Sequence, residues 1–324
     1  MYESYAIYIV SDFVLSKYRL FMELLFAILY IFSAWFFATL WIILLGDCDV
    51  MLHLAEQYGK SPRSLKNKVV WITGASSGIG EYLAYELAKV GCKLVLSARR
   101  LSELEKVKQE CIKLRKLQPE DVMTIYLDML EFDTHQSAVD DVISKFGKID
   151  ILVNNAGLAQ LGVWHETTIE VDQQLLNVNV LGVISLTKCV LPHMIRRNEG
   201  HIVNTSGVAG KIGSFCGGTF AGTKYAIQGL FDSLELELIG TKISVTNVCP
   251  CQVQTNIGNN LFGERPGEEP TLIKYSTTHN ISPKRCAKLY AIAISNKLTE
   301  VWICLNPMLF TVYLILYWPI IGNL

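Results

Sequence analysis

Apolar positions along this chain follow two regimes. From Leu24 to Leu45 they run on as 22 residues rich in Phe, Trp, Leu and Ile, without one charge. At about 1.5 Å per residue a helix of that length covers a hydrocarbon core of about 30 Å. The stretch therefore reads as a transmembrane signal anchor behind a short N-terminal segment, 1–23. It is too long for a signal-peptide core, and no convincing small-x-small cleavage site follows it. From Val69 onward, short apolar runs alternate with amphipathic stretches. Strands are predicted at Val69–Thr73, Lys93–Ser97, Thr124–Asp128, Ile149–Asn154, His201–Thr205 and Ser244–Cys249. Helices are predicted at Tyr82–Val90, Leu101–Leu117, Thr134–Phe146, Asp172–Met194 and Thr223–Leu238. Continuous Val/Ile/Leu runs mark strands buried on both faces. Their alternation with helices predicts an α/β fold with a doubly wound parallel sheet. Residues 46–66, ending in Ser61-Pro62-Arg63-Ser64, read as a polar linker between the two regimes.

Composition adds three points. A mean hydropathy of +0.30 is high for a soluble enzyme and agrees with membrane segments. A net charge of −1 gives no footprint for nucleic acid. The nine cysteines are scattered without a C-x-x-C pair, so neither a disulfide framework nor a metal site is expected. Most of them read as small core hydrophobes. Lys17 and Arg19 precede the span, and the basic-side rule then favours a cytosolic N-terminus and a lumenal domain, here at the endoplasmic reticulum.

Chemistry first enters at Thr73 to Gly80, TGASSGIG, set between the first predicted strand and the first helix of the domain. Gly74 lets the chain turn as the strand ends, Gly78 lets backbone approach a pyrophosphate, and Gly80 lets the new helix pack close to the sheet. Ser76, Ser77 and Ile79 complete the turn, and the free N–H groups of the helix start face the anion. This is a Rossmann-like dinucleotide turn, one residue longer than G-x-G-x-x-G. The second strand ends in Ser97-Ala98-Arg99-Arg100, where an NAD site usually carries Asp or Glu. The guanidiniums of Arg99 and Arg100 suit a 2′-phosphate, so NADP(H) is favoured over NAD(H). Asp128 is placed at the end of the third strand, either accepting from the adenine amino group or capping a helix.

TGASSGIG followed about 80 residues later by Asn154-Asn155-Ala156-Gly157 resembles the short-chain dehydrogenase/reductase family. The likeness covers about 66–305, taken as one domain at 67–305. VVWITGASSGIG, LVLSARR, DILVNNAG, SLTKCVLPHMI and EVWI look most like its dehydrogenase/reductase member-7 subfamily. The resemblance implies a membrane-anchored, NADP(H)-preferring oxidoreductase for a lipophilic carbonyl or alcohol of the retinoid or steroid kind. It places Asn155, Ala156 and Gly157 beside the cofactor and Thr255 on its carboxamide. It makes 256–282 the loop that closes over substrate, and Val301–Cys304 the last strand.

The family's chemistry uses an Asn, a Ser, a Tyr and a Lys. Asn179, in VNVLG, and Lys224, in FAGTK, match two of them. The family's Tyr position, four before Lys224, is Phe220, and its Ser position, thirteen before that, is Gly207. Tyr225 is turned away by about 100° of helix, Thr219 is a far weaker acid than a tuned phenol, and Ser206 is rescued only by a one-residue slip. A further departure is Cys251, where the family has Gly beside the nicotinamide. Two functions follow: an oxidoreductase with impaired or absent standard catalysis, or a silent relative that binds nucleotide or lipid and acts through a partner. A homodimer through the helices carrying Asn179 and Lys224 is also expected. The uncharged tail, 306–324, is interrupted by Pro307 and Pro319. It lies in the membrane interface, lines the substrate cleft, or spans a second time.

Overall fold

The computed structural model describes residues 2–115, 117–255, 261–268, 270, 280–318 and 320, without the side chains of 2–16, 42 and 115. Helix α1 (Tyr2–Leu45) is followed by α2 (Val50–Tyr58), and the α/β part begins at β1 (Val69–Thr73). It continues through α3 (Gly78–Val90), β2 (Lys93–Ala98), α4 (Leu101–Arg115), β3 (Val122–Tyr126), α5 (His135–Phe146), β4 (Ile151–Asn154), β5 (Ala159–Gln160) and α6 (Ile169–Leu176). Then come α7 (Gly182–Arg197), β6 (Gly200–Thr205), α8 (Gly218–Glu237), β7 (Ile243–Pro250), β8 (Leu261–Phe262), α9 (Pro283–Asn296), β9 (Glu300–Ile303) and α10 (Met308–Tyr317).

Seven strands form one parallel sheet in the order β3-β2-β1-β4-β6-β7-β9, while β5 and β8 pair separately. The sheet is the predicted doubly wound, Rossmann-like one. Strand order reverses between β1 and β4, so a crevice opens at their C-terminal ends, where ligands bind in open α/β sheets. Alternation along β1 shows why its run is apolar throughout. Val70 and Ile72 pack with α3, α4 and α9 on one face, and Val69 and Trp71 with α5, α7 and α8 on the other. Trp71 is fully buried, and its Nε1 donates to Ser97 Oγ at 2.9 Å, so the ring brings no orphan donor inside.

Four expectations are corrected. Residues 46–66 are no linker: Cys48, Leu52 and Leu65 lie in the core, and α2 packs on α9. β3 ends at Tyr126, with Asp128 two residues beyond it. α8 starts at Gly218 rather than Thr223, which puts Phe220 inside its first turn. The predicted helix Asp172–Met194 is a run of α6, a π-turn at Asn177–Leu181, and α7.

Among the described residues, two helical stretches are long and apolar enough to cross a membrane. Ile169–Arg197 is half buried in the domain and belongs to its core. Lys17–Leu45, with mean hydropathy 2.3, buries none of its apolar window in the protein and is the candidate membrane span. The predicted substrate loop, 256–282, lies largely outside the described residues.

Candidate nucleotide and active site

The crevice is built from the turn after β1 and the segment after β4. Gly74 has φ +65°, and a Cβ there would stand 2.8 Å from Ala156 Cα, so only glycine lets the two segments close together. Gly78 has φ +62° and opens α3, where a Cβ would meet Thr255 Cγ2 at 3.1 Å. Ser77 precedes α3 without a side-chain cap hydrogen bond, so the first N–H groups of the helix face outward as an anion site. Gly80 is buried where α3 crosses the sheet, and Ile79 packs on the core.

A threonine not singled out from the sequence ties the two segments. Thr73 Oγ1 accepts from the N–H groups of Asn155 (2.9 Å) and Ala156 (3.0 Å). Asn155 Nδ2 donates back to Thr73 O at 2.9 Å. Thr73 is the residue that turns an apolar strand into TGASSGIG, and its position was the available signal.

Arg100 and Arg99 are exposed at the end of β2. Arg100 Nη2 donates to Ser76 Oγ at 3.1 Å and Ser77 Oγ at 2.9 Å, which brings one cation onto the lip of the glycine turn. Asp128 Oδ1 accepts from Leu130 N at 3.0 Å in a turn two residues past β3, so it neither ends the strand nor caps a helix, since α5 is preceded by Thr134. The cradle thus combines a turn that a Cβ would fill, an open helix N-terminus and a guanidinium. These features fit a phosphorylated dinucleotide.

The deeper half is centred on Lys224, nine-tenths buried in α8. Its Nζ donates to Thr205 O at 2.8 Å, and burial lowers its pKa to about 8 against a small opposing effect from Cys249. Asn179, on the π-turn, accepts at Oδ1 from Leu158 N (2.8 Å) and donates from Nδ2 to Leu158 O (2.9 Å). A Cβ on Gly157 would be 3.2 Å from Asn179 Oδ1 and 3.9 Å from Lys224 Nζ, so Gly157, Asn179 and Lys224 converge.

Phe220 lies one helical turn before Lys224, and its ring centroid is 5.6 Å from Nζ. Gly207 follows β6 in extended backbone that any residue adopts (φ 160°, ψ 164°). Ser206 is buried, donates to Lys224 O at 3.1 Å and accepts from Gln228 Nε2 at 2.9 Å, so its hydroxyl is turned to α8. Thr219 donates to Asp172 on α6, and Tyr225 is exposed. Tyr290, which carried no sequence signal, reaches the rear of the site and donates to Thr205 Oγ1 at 2.6 Å. It is wholly buried, and burial pushes its phenol well above the usual range, so it supports Thr205 rather than offering a proton. Cys251 is half-buried and packs on the apolar cluster that contains Cys304.

Residues 68–266 match the short chain dehydrogenase family. The chain belongs to that family. Human dehydrogenase/reductase SDR family member 7 is 42% identical over 278 residues, covering 85% of this chain and 81% of that protein. A Drosophila melanogaster member 7-like protein is 34% identical over 233 residues, covering 72% and 71%. Among solved structures, a short-chain dehydrogenase/reductase from Burkholderia phymatum in complex with NAD aligns with TM-score 0.67 and 26% identity, covering 77% of this chain and 93% of that one. An alcohol dehydrogenase from Thermococcus sibiricus complexed with 5-hydroxy-NADP aligns with TM-score 0.64 and 26% identity, covering 73% and 96%. Solved members of this short-chain dehydrogenase group thus bind NAD or an NADP derivative at the fold seen here.

Proposed function

We propose that this chain is a membrane-anchored member of the short-chain dehydrogenase family that binds NADP(H). Its ligand is a lipophilic carbonyl or alcohol, retinoid- or steroid-like, which it converts poorly or not at all by the family's Tyr and Ser route. Phe220 carries this reading, with its ring 5.6 Å from the Lys224 ammonium at the place where a phenol would meet the substrate oxygen. When bound, the nicotinamide supplies or accepts hydride. Arg99 and Arg100 read the 2′-phosphate, the start of α3 holds the pyrophosphate, Lys224 holds the nicotinamide ribose, and Thr255 holds the carboxamide. An alkoxide formed beside Phe220 finds no acid, and Gly207 offers no donor to its charge.

A second reading, a silent relative acting through a partner, is favoured by Ser206, whose hydroxyl is spent on α8. A homodimer through the helices of Asn179 and Lys224 is supported by Leu181, Tyr225 and Leu230, all exposed. The uncharged span of α1 supports an anchor in the endoplasmic reticulum membrane with the domain lumenal. The deciding experiment measures NADPH binding beside turnover on a retinal and steroid panel. Binding with at most trace turnover is expected. Robust turnover unaffected by Lys224→Ala would place the chemistry elsewhere.

A further inference from the structure

Ten residues make α10 about 15 Å long, half of what a membrane span needs. One face is built into the domain: Leu309 and Val312 are buried in a cluster with Val208, Cys249, Trp302 and Cys304. The other face is open, with Phe310 39%, Leu316 37%, Tyr317 66% and Trp318 61% exposed, and Ile320 beyond it 87%. From Val301 to Leu324 no residue carries a charge, so nothing on this element compensates for the open apolar face.

Where that face sits is fixed by one side chain. Asn306 Nδ2 donates to Ile43 O at 2.7 Å, in the last turn of α1, and to Gly46 O at 3.3 Å just past its end. Its Oδ1 accepts from Phe310 N at 3.2 Å and so caps α10. Tyr313 Oη accepts from Val50 N at 3.1 Å, and α10 packs on α1. The open face of α10 therefore begins where the uncharged span of α1 ends.

We infer that α10 lies in the bilayer interface, with Phe310, Leu316, Tyr317 and Trp318 in lipid beside the exit of α1. The inference rests on the reading of α1 as the membrane anchor. A short apolar helix ending in Tyr and Trp has the chemistry of that layer, where an aromatic body is apolar and its polar edge stays wet. The placement also bears on the ligand. Val208, which packs with α10, adjoins Gly207, and Cys251 packs on the same cluster. The lipid-facing helix is therefore one packing layer from the substrate end of the crevice, so a lipophilic ligand is presented at the bilayer surface.

The test uses the full chain in phosphatidylcholine vesicles carrying a diazirine-tagged acyl chain, photolysed and mapped by mass spectrometry. Adducts are expected on α1 and on Phe310, Leu316, Tyr317 or Trp318. The full-length double variant Tyr317→Glu, Trp318→Glu should lose the α10 adducts while keeping those on α1 and keeping NADPH binding. Adducts on α1 alone would overturn the inference and leave the anchor standing. Adducts on neither helix would overturn both. A copy-to-copy cross-link at Trp318 in place of lipid adducts would overturn it in favour of a dimer contact, as would α10 labelling unchanged in the double variant.

Discussion

A phenyl ring one turn from a buried ammonium shields it but neither gives nor takes a proton. At residue scale the first prediction follows from how little else is missing. Asn179 and Lys224 already converge on Gly157, and a Cβ at Gly207 has nothing nearer than Pro250 O at 3.5 Å. Its extended backbone accepts serine without strain. A positioned acid contributes roughly 10²–10⁴-fold, and an oxyanion donor about 10²–10³-fold. Acting on one transition state, they do not simply multiply. Phe220→Tyr with Gly207→Ser should therefore raise NADPH-dependent carbonyl reduction above that of the native chain, and by more than either single change. Tight NADPH binding with no gain in a folded double variant would favour the silent reading. The second prediction concerns Arg99 and Arg100. Each charge-assisted contact to a 2′-phosphate is worth roughly 1.5–3 kcal/mol, about 10- to 100-fold in affinity. Arg99→Ala and Arg100→Ala should cost NADPH binding more than NADH binding, and equal losses in isothermal titration would remove the phosphate-reading role. Arg99, Arg100, Asn179 and Lys224 were legible because LVLSARR, VNVLG and FAGTK are local strings. Thr73 was visible only as the first residue of TGASSGIG and Tyr290 not at all, because their roles depend on β4 and β6 being brought alongside, which no local pattern records.

At the scale of elements, the strands were legible because burial on both faces leaves continuous apolar runs, and only their ends moved by a residue or two. The stretch 46–66 was misread because its buried residues are few and widely spaced. What holds it is a polar fork rather than an apolar stripe. Arg285 on α9 donates to both carboxylate oxygens of Asp47, at 2.6 and 2.9 Å, and through Nη2 to Glu56 at 2.7 Å, while Lys288 reaches Glu56 at 2.8 Å. The Arg285 hydrogen bonds lower the Glu56 pKa from 4.5 to about 2 against an opposing desolvation. A depressed carboxylate stabilises the fold fully above its unfolded value and loses that contribution as pH falls through the folded one. Glu56 thus contributes above about pH 4.5 and fades towards pH 2. His201, whose pKa burial lowers from 6.5 to about 3, gives a second acid limb that starts at higher pH. Glu56→Gln should cost about 1–3 kcal/mol at pH 7. It should also flatten the decline in thermal midpoint between pH 4.5 and 2, leaving the His201 limb. An unchanged acid profile in the variant would show that the fork carries no net stability.

Taken as a whole molecule, the candidate membrane span and the α/β domain are not two bodies on a tether. Cys48 bridges antiparallel to Ile303, Asp49 N donates to Trp302 O at 2.9 Å, and Cys304 N donates to Asp47 O at 3.0 Å. The backbone just past α1 therefore joins the edge strand β9. Further along, Lys60 N donates to Asn296 Oδ1 at 2.6 Å, and Lys60 O accepts from Ser295 Oγ and Asn296 Nδ2, both at 3.0 Å. Leu65 is buried between these contacts and β1. A protease needs an extended, locally open segment, so cleavage here follows the population of the opened state rather than the number of basic residues. Lys60, Arg63, Lys66 and Lys68 offer trypsin four sites in nine residues, which a free linker would expose at once. The last prediction is that the native protein in mild detergent resists trypsin across 60–68, with no early fragment beginning between Ser61 and Val69. Arg285→Ala frees Asp47 and Glu56 from the fork, raises the open population, and should speed that cleavage several-fold while cuts elsewhere in the domain keep their rates. Rapid release of the domain from the native chain would restore the linker and, with it, an anchor that leaves the orientation of the crevice free.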